Sequence, residues 1–121
     1  MAEFRVAFIA NDYDATVAFF HETMGCEILR SFEEGGKGTI LTAANGQIEV
    51  FSPENGWWEP GVSGVKLAWE VDDADAAHAE LAARGATLLG GPEMQPWGHK
   101  NFSVEGPDGW TITLYEIVIP Q

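Results

Sequence analysis

Two periods of hydrophobic and polar positions interleave along this chain, and the interleaving occurs twice. Residues 4–10, FRVAFIA, alternate, with Phe4, Val6 and Phe8 on one side and Arg5, Ala7 and Ile9 on the other, which predicts a strand. The period then lengthens: Val17, Phe20 and Met24 fall at i, i+3 and i+7. Asp12 or Asp14 can cap the start and Gly25 suits the left-handed residue past the end, so a helix is predicted over about 13–24. CEILRSF, GTILTAA and QIEVFS follow as an antiparallel meander, divided by the turn-forming GGKG and by Asn45-Gly46, a strong short hairpin signal. The order then repeats as VKLAWEV, a helix with Ala74, Ala77 and Leu81 on one face, and ATLLG, NFSVE and WTITLYEI, the last two joined by Pro107-Asp108-Gly109.

The two helical spans, opened by Asp12 and Asp72 and stopped 13 residues further on by Gly25 and Gly85, are offset by 60. A duplication of this kind predicts two copies of one supersecondary unit sharing a core, with a binding site in the trough between them. The expected organisation is one α+β domain: a first module over about 1–53, a Pro/Gly-rich connector over about 54–62, and a second module over about 63–121.

Composition fits one core, since 121 residues with 45% hydrophobic content bury one sizeable interior. Six basic against 19 acidic residues give a net charge of −13, which opposes phosphate backbones and anionic membranes and favours cationic partners at long range. The same charge also serves solubility alone. Neither a bilayer-length apolar run nor a signal-like N-terminus is present, so a cytoplasmic location is expected. The single cysteine, Cys26, reads as a small core residue at the start of a strand.

Gln95-Pro96-Trp97-Gly98, followed nine residues on by Pro107-Asp108-Gly109, is similar to the PWG and DPDGN signatures of the bleomycin-resistance-like branch of the vicinal oxygen chelate superfamily. The chain resembles that superfamily, which includes glyoxalase I and extradiol dioxygenases, over nearly its whole length. Gly106 stands where the family has Asp and Trp110 where it has Asn, departures that fall in a turn and bear on its stability. The resemblance implies two βαβββ modules forming a curled mixed sheet around a central cavity, commonly completed by a second subunit in a homodimer.

The catalytic branches hold a divalent metal through His, Glu or Gln on the first and last strands of each module. Carried onto this chain, those positions are Arg5, Glu49, Lys66 and Thr113, of which only Glu49 can ligate. Glu116, three residues from Thr113, points to the opposite face, and His21, His78 and His99 have no partner at chelating spacing. No metal and no cofactor are expected. If strand parity holds, Arg5, Glu49 and Lys66 project into one cavity as an ion cluster. That cluster either leaves a spare positive charge to orient a ligand's carboxylate or phenolate, or is a charge-balanced plug between the strands.

Trp57 and Trp58, in tandem within the connector, form the lip of a cleft, and Trp97 falls near the cavity mouth. Phe51 and Tyr115 lie on the inward sides of their strands, Glu70 is on the side of Lys66, and His99 sits beside Trp97. Trp69 is placed in the core. These rings suit a planar or cationic ligand, and the same exposed aromatics suit a dimer interface.

The reading is a metal-independent protein that binds and sequesters a small aromatic or cationic organic molecule, as bleomycin-resistance proteins do. Its candidate ligand-binding residues are Arg5, Glu49, Phe51, Trp57, Trp58, Lys66, Glu70, Trp97, His99 and Tyr115. An enzyme of the same fold, a lyase, isomerase or dioxygenase with an unconventional or absent metal site, is the alternative. A cofactor-free version would use Glu49 and His99 as acid and base. A purely regulatory or interaction role is a third class.

Overall fold

The computed structural model describes residues 2–120. Two four-stranded mixed sheets carry the fold. The first holds β1 (Arg5–Ile9), β2 (Ile28–Glu33), β3 (Lys37–Ala43) and β4 (Gly46–Phe51) in the order β1-β4-β3-β2. The second holds β5 (Leu67–Glu70), β6 (Thr87–Met94), β7 (His99–Glu105) and β8 (Thr111–Ile117) in the order β5-β8-β7-β6. In each, the first strand runs parallel to the last and the other pairs are antiparallel. Strand, helix and three strands in each copy make two βαβββ modules, as the repeat predicts. The density of contacts divides the chain into two compact units, Met1–Gly64 with Pro107–Gly109 and Val65–Gly106 with Trp110–Gln121.

In the first unit, the Asp12 carboxylate accepts from the Ala15 N–H at 3.0 Å and so starts α1 (Tyr13–Ala18). The helix does not continue regularly to residue 24 as expected. It widens into a π-helical turn over Phe19–Thr23, where the Met24 N–H reaches the Phe19 carbonyl at 2.9 Å. The wider turn brings the adjacent rings of Phe19 and Phe20 onto the core side, their centroids 5.1 Å apart. They pack with Phe8, Leu41, Ile48 and Val50 in the buried interior, each such side chain contributing about 1.5–3 kcal/mol by leaving water. Gly25, at φ 76°, ends the segment as its position predicts.

In the second unit α2 (Ala74–Ala83) is capped by Asp73, one residue later than Asp72. The later start lets the Ala74 N–H donate to Glu116 Oε1 at 2.9 Å, tying the helix to β8. Phe102, Val104, Ile112, Leu114 and Leu81 form the buried apolar set. Trp110 is 1% exposed, so its replacement of a small turn residue supplies core volume and is not a matter of the turn alone.

The β3–β4 hairpin also departs from expectation. Its two-residue loop is Ala44-Asn45, with Ala44 at φ 50°, and Gly46 already belongs to β4. Gly46 answers a different need: a Cβ there would lie 3.0 Å from the Phe4 carbonyl oxygen, which accepts from the Gln47 N–H at 2.8 Å. In the second unit β6 runs past the predicted ATLLG to Met94, across an irregularity between Leu89 and Glu93.

Candidate functional site

The register places Arg5, Ala7 and Ile9 of β1, Glu49 and Phe51 of β4, Gly38 and Ile40 of β3, and Arg30 and Phe32 of β2 on one face of the first sheet. The opposite face carries Phe8, Val50 and Thr39, and the Tyr13 hydroxyl of α1 hydrogen-bonds Thr39 there. Strand parity therefore sends Arg5, Glu49 and Phe51 to the side away from the helix.

Arg5 and Glu49 form an ion pair, Nη1 to Oε1 at 3.2 Å, and Arg5 Nη2 also reaches Glu3 Oε1 at 2.6 Å. The Glu49 bond first, then the Glu3 bond, raises the guanidinium pKa further above its ordinary value. Two carboxylates on one guanidinium leave no spare positive charge at Arg5. Lys66 does not take the place expected of it in a strand: it is exposed and precedes β5 in the second unit.

Beside this ion cluster runs a continuous aromatic strip. The Arg30 guanidinium carbon sits 5.6 Å from the Phe32 centroid, Phe32 meets Phe51 at 6.0 Å, and Phe51 meets Trp57 at 4.8 Å and Trp58 at 6.0 Å, the ring pairs edge to face. Phe51 is buried beneath the strip, whereas Trp57 and Trp58 are 59% and 46% exposed. The tandem tryptophans thus cover one core ring and present their outer surfaces to solvent.

In the second sheet Glu70, Thr113, Tyr115, Ser103, Asn101 and His99 share a face. His99 stacks on Tyr115 at 4.9 Å with planes 10° apart, and Trp97 approaches His99 edge-on at 6.4 Å. Gln95 Nε2 donates to Asn101 Oδ1 at 3.1 Å, and the Ser103 and Thr113 hydroxyls are 3.0 Å apart. The other histidines serve the scaffold. His21 Nδ1 donates to the Cys26 carbonyl at 2.8 Å, and His78 Nε2 donates to that of Gly90 at 3.0 Å. Burial pushes the Cys26 thiol up to about 11, which makes it a poor nucleophile at neutral pH. Two surface depressions open to solvent reach the borders of these faces, one lined by Tyr13, Ser31, Phe32, Glu33 and Lys37 and one by Glu70, Val71, Asp72, Asp73 and Glu80.

The family model described as the Glyoxalase/Bleomycin resistance protein/Dioxygenase superfamily matches residues 4–114. The chain belongs to this superfamily. Solved structures with the same fold include a superfamily member from Sphaerobacter thermophilus DSM 20745, 26% identical over 96% of this chain and 97% of that one, with a TM-score of 0.77. TioX from Micromonospora sp. ML1 is 18% identical, with 97% and 99% of the two chains covered and a TM-score of 0.79. Lactoylglutathione lyase from Agrobacterium tumefaciens is 19% identical, with 95% and 92% covered and a TM-score of 0.72. At such identities the last two speak to the fold alone. A comparison with curated proteins gives no match.

The resemblance assigns the divalent-metal ligands of catalytic members to positions that correspond here to Arg5 and Glu49 in the first unit and to Lys66 and Thr113 in the second. The residues present do not fit that ion. Arg5 and Lys66 are cations, Glu49 is already bonded to Arg5, and the Thr113 hydroxyl is bonded to Ser103. Among the described residues no group of three or more His, Cys, Asp or Glu side chains is placed to hold a metal.

Sequence reasoning missed Glu3, Arg30, Phe32 and Gly38. The signals were present: CEILRSF puts Arg30 and Phe32 on one side of a strand, and a lone glycine opening GTILTAA marks a close approach.

Proposed function

We propose that this glyoxalase-superfamily protein binds and sequesters a small aromatic organic molecule without metal chemistry, in the manner of the bleomycin-resistance-like branch. The observation that carries the reading is the pair of exposed indoles, Trp57 and Trp58, fixed edge-on against the buried Phe51. Rings held by a packed neighbour lose little further freedom when a planar ligand stacks on them, which lowers the cost of binding. The aromatic-polar face of the second unit, with Trp97, His99, Tyr115 and Glu70, supplies a further stacking surface with hydrogen-bonding groups. The Arg5–Glu49 pair is read as a fixed ion cluster and not as a catalytic acid or base, because each charge already has its partner. A homodimer is proposed as the working form, with the exposed apolar run Ile117, Val118 and Ile119 at its seam.

The test is intrinsic tryptophan fluorescence of the metal-stripped protein, titrated with small aromatic compounds and with metal-free bleomycin, then repeated with nickel, zinc or manganese. Saturable quenching without metal is expected. Binding that appears only with metal, or conversion of the compound during the titration, would replace capture with an enzymatic reading.

A further inference from the structure

We propose that the molecule captured on the first sheet is an aromatic carboxylate, received by Arg30 at one end of the strip Phe32, Phe51, Trp57 and Trp58. The inference rests on the capture reading above and adds the sign of the ligand's charge.

The charges on this face decide it. Arg5 is taken by Glu3 and Glu49, and Glu49 is taken by Arg5. Arg30 lies on the same face by register, is exposed, and has no carboxylate partner among the described residues; its contact is the ring of Phe32 at 5.6 Å. A guanidinium lying over a ring keeps its N–H edge available, and that edge matches a carboxylate in a two-point hydrogen bond, which an ammonium cannot reproduce. The adjoining rings form an unbroken series of contacts from Arg30 to the exposed indoles, so an arene and its carboxylate are both accommodated on one surface. Glu54 and Glu59 flank the tryptophans in sequence, but both are exposed, one in a short turn and the other in the connector.

The net charge of −13 opposes the approach of an anion from a distance. At 0.1 M salt that field is screened beyond about 10 Å, so the contact at Arg30 governs affinity while the net charge slows the encounter. Binding of the anion therefore quickens as salt rises from low values, the reverse of a steered encounter.

The experiment titrates the full chain, by tryptophan fluorescence and calorimetry, with 4-nitrobenzoate, the neutral 4-nitrobenzamide and the cationic 4-nitrobenzylamine, for the wild type and for Arg30→Gln and Arg30→Lys. The expected result is a preference for the acid over the amide of roughly tenfold, the size of one charged hydrogen-bonded contact. Arg30→Gln should erase that preference, weakening the acid far more than the amide, and Arg30→Lys should keep only part of it. Equal binding of acid and amide, or tightest binding of the amine, overturns the inference and leaves aromatic capture standing. If none of the three quenches the tryptophans, the capture reading itself fails.

Discussion

The tip of the Phe32 ring rests over Gly38 in the neighbouring strand: a Cβ on Gly38 would lie 2.3 Å from Cζ and 2.6 Å from Cε2 of that ring. The glycine is what lets Phe32 lean across β3 towards Phe51 on β4, Gly38 being the register partner of both. Gly38→Ala should therefore push Phe32 off the strip. Phe32 is half-buried on an edge strand and free to swing outwards, so the stability cost should stay near the low end for overpacking, about 1 kcal/mol. Binding should suffer more than folding. Denaturant midpoints set beside ligand titrations check this: a large drop in stability with unaltered affinity would show that the ring serves only the core.

Asp108 offers a second prediction. Its carboxylate accepts from the Asn11 backbone N–H at 2.7 Å and from the Asn11 side-chain amide at 3.1 Å, just ahead of α1. It does so from a left-handed backbone, φ 60° and ψ 22°, that Asn and Asp tolerate better than Ala. Asp108→Ala should lose both bonds and add backbone strain, for about 1.5–3 kcal/mol. Asp108→Asn keeps the conformational tolerance and one acceptor, and should cost less than half of that. Urea unfolding of the two variants decides the point; equal losses would mean that the paired carboxylate oxygens matter and the backbone conformation does not.

These two relationships mark where the sequence was legible and where it was not. Periodicity, the Asp12 cap and Gly25 made the first module readable, because each is local chemistry. The parity that puts Arg5, Glu49 and Phe51 on one face was equally readable, since a strand alternates whatever its surroundings. The π-helical turn was not, because packing of the adjacent Phe19 and Phe20 overrides the regular helix that their spacing allows. The Asn11–Asp108 bonds join residues 97 apart in sequence, and no local pattern announces such a contact. Nor could parity show that Arg5 is shared between two carboxylates, since Glu3 precedes the strand and its direction is set by packing.

The donor set around Glu49 leads to a third prediction. With Arg5 bonded to it and Thr113 bonded to Ser103, the positions to which the resemblance assigns metal ligands offer one engaged carboxylate. Nickel, zinc or manganese at millimolar levels should leave the melting temperature of the wild type unchanged, and a chelator should do the same. A ligand that binds only the folded state at 100 times its Kd would add about 2.7 kcal/mol, a shift no melting curve would miss. A metal-dependent rise that Glu49→Gln abolishes would show that Arg5 gives way to the ion, and would restore metal chemistry to this site.

The last prediction concerns pH and the thiol. Cys26 is buried, 6% exposed, and burial moves its pKa from 9.0 up to about 11. Between those two values the unfolded chain has released the thiol proton while the folded chain still holds it, so the unfolded state binds fewer protons and stability falls as pH rises. The contribution is at most about 1.4 kcal/mol per pH unit and is absent below pH 9. Lys100 adds a fall of the same sign at higher pH. Its pKa is raised above 10.5 chiefly by the Asp75 hydrogen bond, so the stabilisation it brings is complete below 10.5 and is lost as pH passes through the raised value. Subtracting the profile of Cys26→Ala from that of the wild type isolates the thiol: the difference should be flat to pH 9 and slope downwards from there to about 11. Labelling by an aromatic disulfide at pH 8 should be slow and should track local opening around Gly25 and Cys26. Rapid stoichiometric labelling of the native protein would place the thiol at the surface and remove the basis for the pH dependence.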